Sequence, residues 1–69
     1  MASNDILSIN IVVKRKTDEA LLAEDEDGNE VWIPFSKILD GSEIDEDSDV
    51  GDEGLLWIPE WLAEDRGWR

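Results

Sequence analysis

Carboxylates are the reactive side chains this chain holds in excess, and they are bunched. Asp45, Glu46, Asp47, Asp49, Asp52 and Glu53 crowd one stretch, with Asp40 and Glu43 just ahead of them; eight of the fourteen residues from Asp40 to Glu53 are acidic and none is basic. A second group, Glu24, Asp25, Glu26 and Asp27, with Glu30 beyond it, surrounds an Asp-Gly pair. Carboxylates at this density serve three kinds of chemistry: ligation of hard cations, general acid/base catalysis, or presentation of a negative field to a partner.

The first two fit poorly. Asp45, Asp47 and Asp49 match the first, third and fifth ligands of an EF-hand loop, but Val50 stands where the sharp turn needs glycine and Leu56 where a chelating glutamate belongs. Loose cation condensation is expected, with no specific metal. Acid/base work needs a pocket that pulls two pKa values apart, and these acids fall mainly in turn-rich segments. The chain has no histidine and no cysteine, which removes the usual zinc ligands, thiol chemistry and an activator for serine nucleophiles. It has no phosphate-cradling glycine loop. The expectation is a protein that is not an enzyme and carries no cofactor.

The third chemistry remains. Between Thr17 and Asp65 only Lys37 is positive, and the 69-residue chain carries a formal charge of −13. A net charge of ~2–8 suffices to keep a small domain soluble, and charge beyond that strains the compact state. Duplex DNA carries about one negative charge per ~1.7 Å of axis. A surface this acidic is therefore expected to be drawn to a basic nucleic-acid-binding groove and to block it. The residues expected to carry the contact are Asp45, Glu46, Asp47, Asp49, Asp52 and Glu53, with Glu24, Asp25, Glu26 and Asp27 as a second patch. Direct contact with nucleic acid or with anionic lipid is opposed by the same charge. The alternative is an accessory or structural protein acting through Trp32, Trp57, Trp61 and Trp68, since aromatics anchor interfaces and homodimers. Trp68, near the chain end, is then the expected exposed contact, while at least two of the four are expected in the core, Trp32 and Trp57 lying on strands and Trp61 on the helix.

The elements that must position these groups are few. A chain this short buries only ~60% of its unfolded surface, so one domain, 1–69, is expected, and the four tryptophans favour a folded one. Leu7, Ile9, Ile11 and Val13 alternate with Ser8, Asn10, Val12 and Lys14, the period of a half-buried strand. Segments 19–24 and 29–33 flank Asp27-Gly28, a hairpin signal that centres a type I′ turn and pairs Leu22 with Ile33 and Glu24 with Val31. Val31-Trp32-Ile33-Pro34 and Leu56-Trp57-Ile58-Pro59 repeat a strand ending in a proline that starts a helical turn. The first such turn runs over Phe35–Leu39. The second starts a C-terminal helix, with Gly67 as its left-handed cap and Trp68 folding back on Leu62 or Ala63. Residues 41–54 lack periodicity and read as an exposed, mobile acidic loop tacked down by Ile44 and Val50. The fold expected is α+β: a small twisted antiparallel sheet of three to four strands, with an SH3-like or OB-like barrel as its variant, and one C-terminal helix.

No stretch approaches the ~20 apolar residues of a membrane span. Met1–Asp5 is polar and lacks the pattern of a secretory leader, so the cytoplasm is the expected location.

Two motifs also resemble a known group. Val-Trp-Ile-Pro-x-Ser-x-Ile at Val31–Ile38, an acidic spacer, and Ile-Pro-x-Trp-Leu-Ala-Glu-x-x-Gly at Ile58–Gly67 resemble a family of small acidic proteins encoded by bacteriophages and prophages, over about the last forty residues. The chain departs from that pattern at Phe35, where a basic or polar residue is usual, and in the acidity of its spacer. In size and charge it also resembles anti-CRISPR and other anti-defence inhibitors, several of which imitate DNA. That resemblance implies an inhibitor working in a bacterial host cell, with a CRISPR effector as its target.

Overall fold

The computed structural model describes residues 5–68. The reading of the first four residues as polar and leaderless lies outside them. The elements are β1 (Ile6–Lys16), β2 (Ala20–Glu24), β3 (Glu30–Pro34), a single 3-10 turn (Phe35–Lys37), β4 (Glu53–Pro59) and α1 (Glu60–Asp65). All strand pairs are antiparallel, in the order β3-β2-β1-β4. The α+β fold read from the sequence is present, with four strands and one C-terminal helix. The sheet is open, with β3 and β4 at its two ends.

Alternation sorts the side chains. Ile11 and Val13 of β1, Leu21 and Ala23 of β2, Val31 and Ile33 of β3, and Leu56 and Ile58 of β4 share one buried face. Leu62 and Ala63 of α1 close over it, and Leu7, Ile9, Phe35, Ile38 and Trp68 pack around its margin. The helix is only six residues long, too short to persist without tertiary packing. Its end is tied by a Schellman motif: Trp68 N–H bonds Ala63 C=O at 2.8 Å, Gly67 N–H bonds Glu64 C=O at 3.2 Å, and Gly67 has φ +87°. Trp68 is thereby drawn against the core instead of projecting as an exposed contact.

The two Trp-Ile-Pro corners match. Pro34 and Pro59 cap the 3-10 turn and α1 with nearly identical backbone angles, φ −63° and −62°. Ile33 and Ile58 are both fully buried, so Trp32 and Trp57 must face the other side of the sheet. The strand tryptophans are therefore not core: Trp32 is 42% exposed and Trp57 is half-buried.

The hairpin register differs from expectation by one residue. Leu22 pairs with Trp32, and Glu24 with Glu30. The loop holds three residues, with Asp25 N–H bonded to Asn29 C=O and Gly28 at φ +88°, in place of a two-residue type I′ turn. A one-residue slip moves every side chain to the opposite face; the observed register is the one that buries Leu21 against Ile33.

The acidic segment is fastened to the sheet. Leu39 N–H bonds Trp57 C=O at 2.8 Å, and Glu43 and Ile44 N–H bond Leu55 C=O at 2.9 and 3.2 Å. Side chains complete the seal along β4: Leu55 N–H donates to Glu43 Oε1 at 2.8 Å and Trp57 N–H to Ser42 Oγ at 3.1 Å. Ile44 is 2% exposed and holds the segment to the core, whereas Val50 is 60% exposed and does not. Glu53 and Gly54 belong to β4.

Candidate partner-binding surface

The face of the sheet away from α1 carries the acidic feature most closely tied to the fold. Val12 pairs with Glu24 on one side and with Glu53 on the other, and Glu24 pairs with Glu30. One transverse row, Glu30–Glu24–Val12–Glu53, thus crosses all four strands, roughly 14 Å at ~4.8 Å per strand. Three of its four members are carboxylates. Like charges directly opposite across strands destabilise a sheet, and Glu24 and Glu30 are such a pair. The compensation is slight: Lys14 Nζ stands 4.0 Å from Glu24 Oε1, and Asn10 Nδ2 donates to Glu53 Oε2 at 3.0 Å. The neighbouring pair on this face is Leu22 and Trp32, an apolar strip beside the acids.

The hairpin turn extends the charge past the strand ends. Asp25 Oδ1 accepts from Asp27 and Asn29 N–H, both at 2.9 Å, and Asp25 Oδ2 accepts from Asn29 Nδ2 at 3.3 Å. Desolvation, the largest single influence, pushes the Asp25 carboxyl up, but bonds from the Asn29 backbone and side chain and from the Asp27 and Gly28 N–H groups together outweigh it and hold the group below the usual carboxylate range. Asp25 stays ionised while shaping the turn. Glu26 and Asp27 are exposed.

The other predicted residues lie elsewhere. Asp45, Glu46 and Asp47 border a cleft of about 270 Å³ with Phe35, Ile38 and Asp40. Asp45 there takes up its own turn, accepting from Asp47 N–H at 2.9 Å through Oδ1. Asp49 and Asp52 close the turn before β4, with Asp49 N–H bonded to Asp52 Oδ2 at 2.9 Å. Among the described residues no group of three or more His, Cys, Asp or Glu side chains is placed to hold a metal ion. The ten predicted residues therefore divide between the outer face, the hairpin turn and the strapped segment. Glu30, which flanks the second acidic cluster in the sequence, was not in the predicted set; its pairing with Glu24 places it on this face.

The exposed tryptophans do not share a patch. Trp32 lies on the outer sheet face, and Trp61, 46% exposed, lies on the helix with Lys37 Nζ 5.6 Å from its ring centre. No helix of the described residues is long and apolar enough to cross a membrane. No protein-family model, no curated protein and no solved structure matches the chain.

Proposed function

We propose that this protein is a non-enzymatic inhibitor that occupies the basic groove of a nucleic-acid-binding protein through its acidic surface. The carrying observation is the row Glu30–Glu24–Val12–Glu53, which joins both acidic segments on one rigid face at the cost of a directly opposed Glu24–Glu30 pair. A rigid sheet presents charge at fixed spacing, so little ordering entropy is lost on binding. Three carboxylates in ~14 Å are sparser than the charge of a duplex; the turn residues Asp25, Glu26 and Asp27 bring the field closer to it. Leu22 and Trp32 beside the row supply an apolar anchor. The size, charge and motif resemblance favour a CRISPR effector as the target, encountered in the cytoplasm of a bacterial host.

The test is capture from lysate of host cells that express CRISPR effectors, with elution by rising salt and by duplex DNA. Support is a captured protein that itself binds nucleic acid, is displaced by DNA, and is no longer captured by the combined variant Glu24→Gln, Glu30→Gln and Glu53→Gln. Capture that survives high salt and the triple variant overturns the reading in favour of an accessory protein anchored by tryptophan, because contacts between exposed charges weaken with ionic strength.

A further inference from the structure

β1 is eleven residues long and β2 only five, and β2 covers β1 only from Val12 to Lys16. The lane beside Ile6–Asn10 is vacated where the chain turns away at Asp25. Backbone parity fixes what that lane exposes. Val13 N–H bonds Asp52 C=O at 2.9 Å, so the odd residues of β1 direct their peptide groups towards β4. The peptide groups of Ser8 and Asn10 point the opposite way, into the vacated lane, where no described backbone meets them.

The remaining edges are managed differently. The far side of β4 is sealed by the segment 39–44. The far side of β3 is short, acidic at Glu30 and closed by Pro34, a residue that cannot donate to a ladder. From Ile6 to Ile11, β1 has neither proline nor charge. Its side chains alternate, with Leu7 and Ile9 against the core margin and Ser8 and Asn10 on the outer face. Across the gap, Asp25, Glu26 and Asp27 line a cleft of about 280 Å³ with Ser8, Ile9 and Asn10.

We propose that this gap receives an extended basic segment of a partner protein as an added strand. Main-chain bonds to Ser8 and Asn10 would hold the segment. Its alternate apolar residues would lie beside Leu7 and Ile9, and the intervening lysines or arginines would face the acidic turn. Charge complementarity selects this occupant over a second copy of the chain, which would bring a further −13. The inference stands apart from the acid row: it rests on backbone bonding at one edge, not on the outer-face carboxylates.

The probe is a short synthetic peptide alternating valine and lysine, compared with the same peptide N-methylated at the amides that would face β1, which keeps the charge and removes the donors. The unmodified peptide is expected to bind about tenfold more tightly than the methylated one and to slow amide exchange at Ser8 and Asn10 by about tenfold or more. Ser8→Pro, which removes an N–H that serves no ladder bond, is expected to weaken it to the same degree, while Glu30→Gln changes affinity by no more than about twofold. Equal binding of both peptides, or none, overturns the proposal, and needs no variant to fold. Protection of Ser8 and Asn10 without peptide, together with a dimer in sedimentation, also overturns it by assigning the edge to a second copy. Loss of the natural partner with the outer-face triple variant but not with Ser8→Pro would leave the acid row standing and sink the strand.

Discussion

Glu24 of β2 and Glu53 of β4 both stand opposite Val12 of β1, one on each side of it. Two acidic segments far apart in the chain are therefore held two strands apart on one face. Their relative position is fixed by ladder hydrogen bonds, not by flexible loops. The field this face presents depends on register, and a slip of one residue in either pairing would turn one glutamate towards the core.

Glu30→Gln is expected to stabilise the fold. It removes repulsion from Glu24 and leaves the Lys14–Glu24 contact in place. The gain is put at ~0.2–1 kcal/mol at low ionic strength, shrinking as salt screens the pair. Urea melts of the two proteins at low and high salt measure it. A loss of stability at low salt would show that the opposed glutamates are not in conflict.

Ile44→Ala and Val50→Ala separate a fastening residue from an idle one. Ile44 is buried in the core cluster and Val50 is exposed. Truncating Ile44 should cost ~2–4 kcal/mol, a large share of the stability of so small a domain. Truncating Val50 should stay within about ±0.5 kcal/mol. Equal effects in chemical denaturation would contradict the fastening of the acidic segment.

Gly41→Ala is expected to be worse than Gly28→Ala. Both glycines have positive φ, +98° and +88°. A Cβ at Gly41 would lie 2.7 Å from Trp57 Cζ3, whereas one at Gly28 meets nothing within 4 Å. Gly28→Ala should cost ~1–2 kcal/mol for the backbone alone. Gly41→Ala adds the displacement of an indole, ~1–3 kcal/mol more, and should alter Trp57 fluorescence. Matching costs with an unchanged spectrum would mean that the Trp57 ring does not rest on Gly41.

Much of this fold was legible because alternation is a strong signal. Leu7, Ile9, Ile11 and Val13 marked β1 and its inner face, and the two Trp-Ile-Pro corners marked the ends of β3 and β4. The same alternation, carried one step further, would have placed Trp32 and Trp57 outside: once Val31 and Ile33 occupy the core face, the residue between them cannot. Size and hydrophobicity suggested core, and strand geometry overrode them. The hairpin slip has a local cause. Asp27-Gly28 suits a two-residue turn, but the Asp25 carboxylate, accepting from two N–H groups, closes a three-residue loop, and burial of Leu21 on Ile33 rewards that register. Ile44 signalled that residues 41–54 are held to the body, but the bonding of residues 39–44 along β4 had no periodic signal, because backbone N–H groups there are joined by the Ser42 hydroxyl and the Glu43 carboxylate in place of a regular strand.

Asp25→Asn tests the turn by pH. The folded-state pKa of Asp25 is depressed, so its ionisation stabilises the fold above the unfolded-state value, near ~3.9. That contribution is lost as pH falls through the lower folded-state value. Asparagine can still accept through Oδ1 but carries no charge, so it should be less stable than the parent at pH 7 and equal to it once Asp25 is protonated. Paired thermal melts from pH 7 down to the acid limit should show the difference closing only below the ordinary carboxylate pKa. A difference independent of pH would assign the turn to geometry alone and remove the charge of Asp25 from its stability.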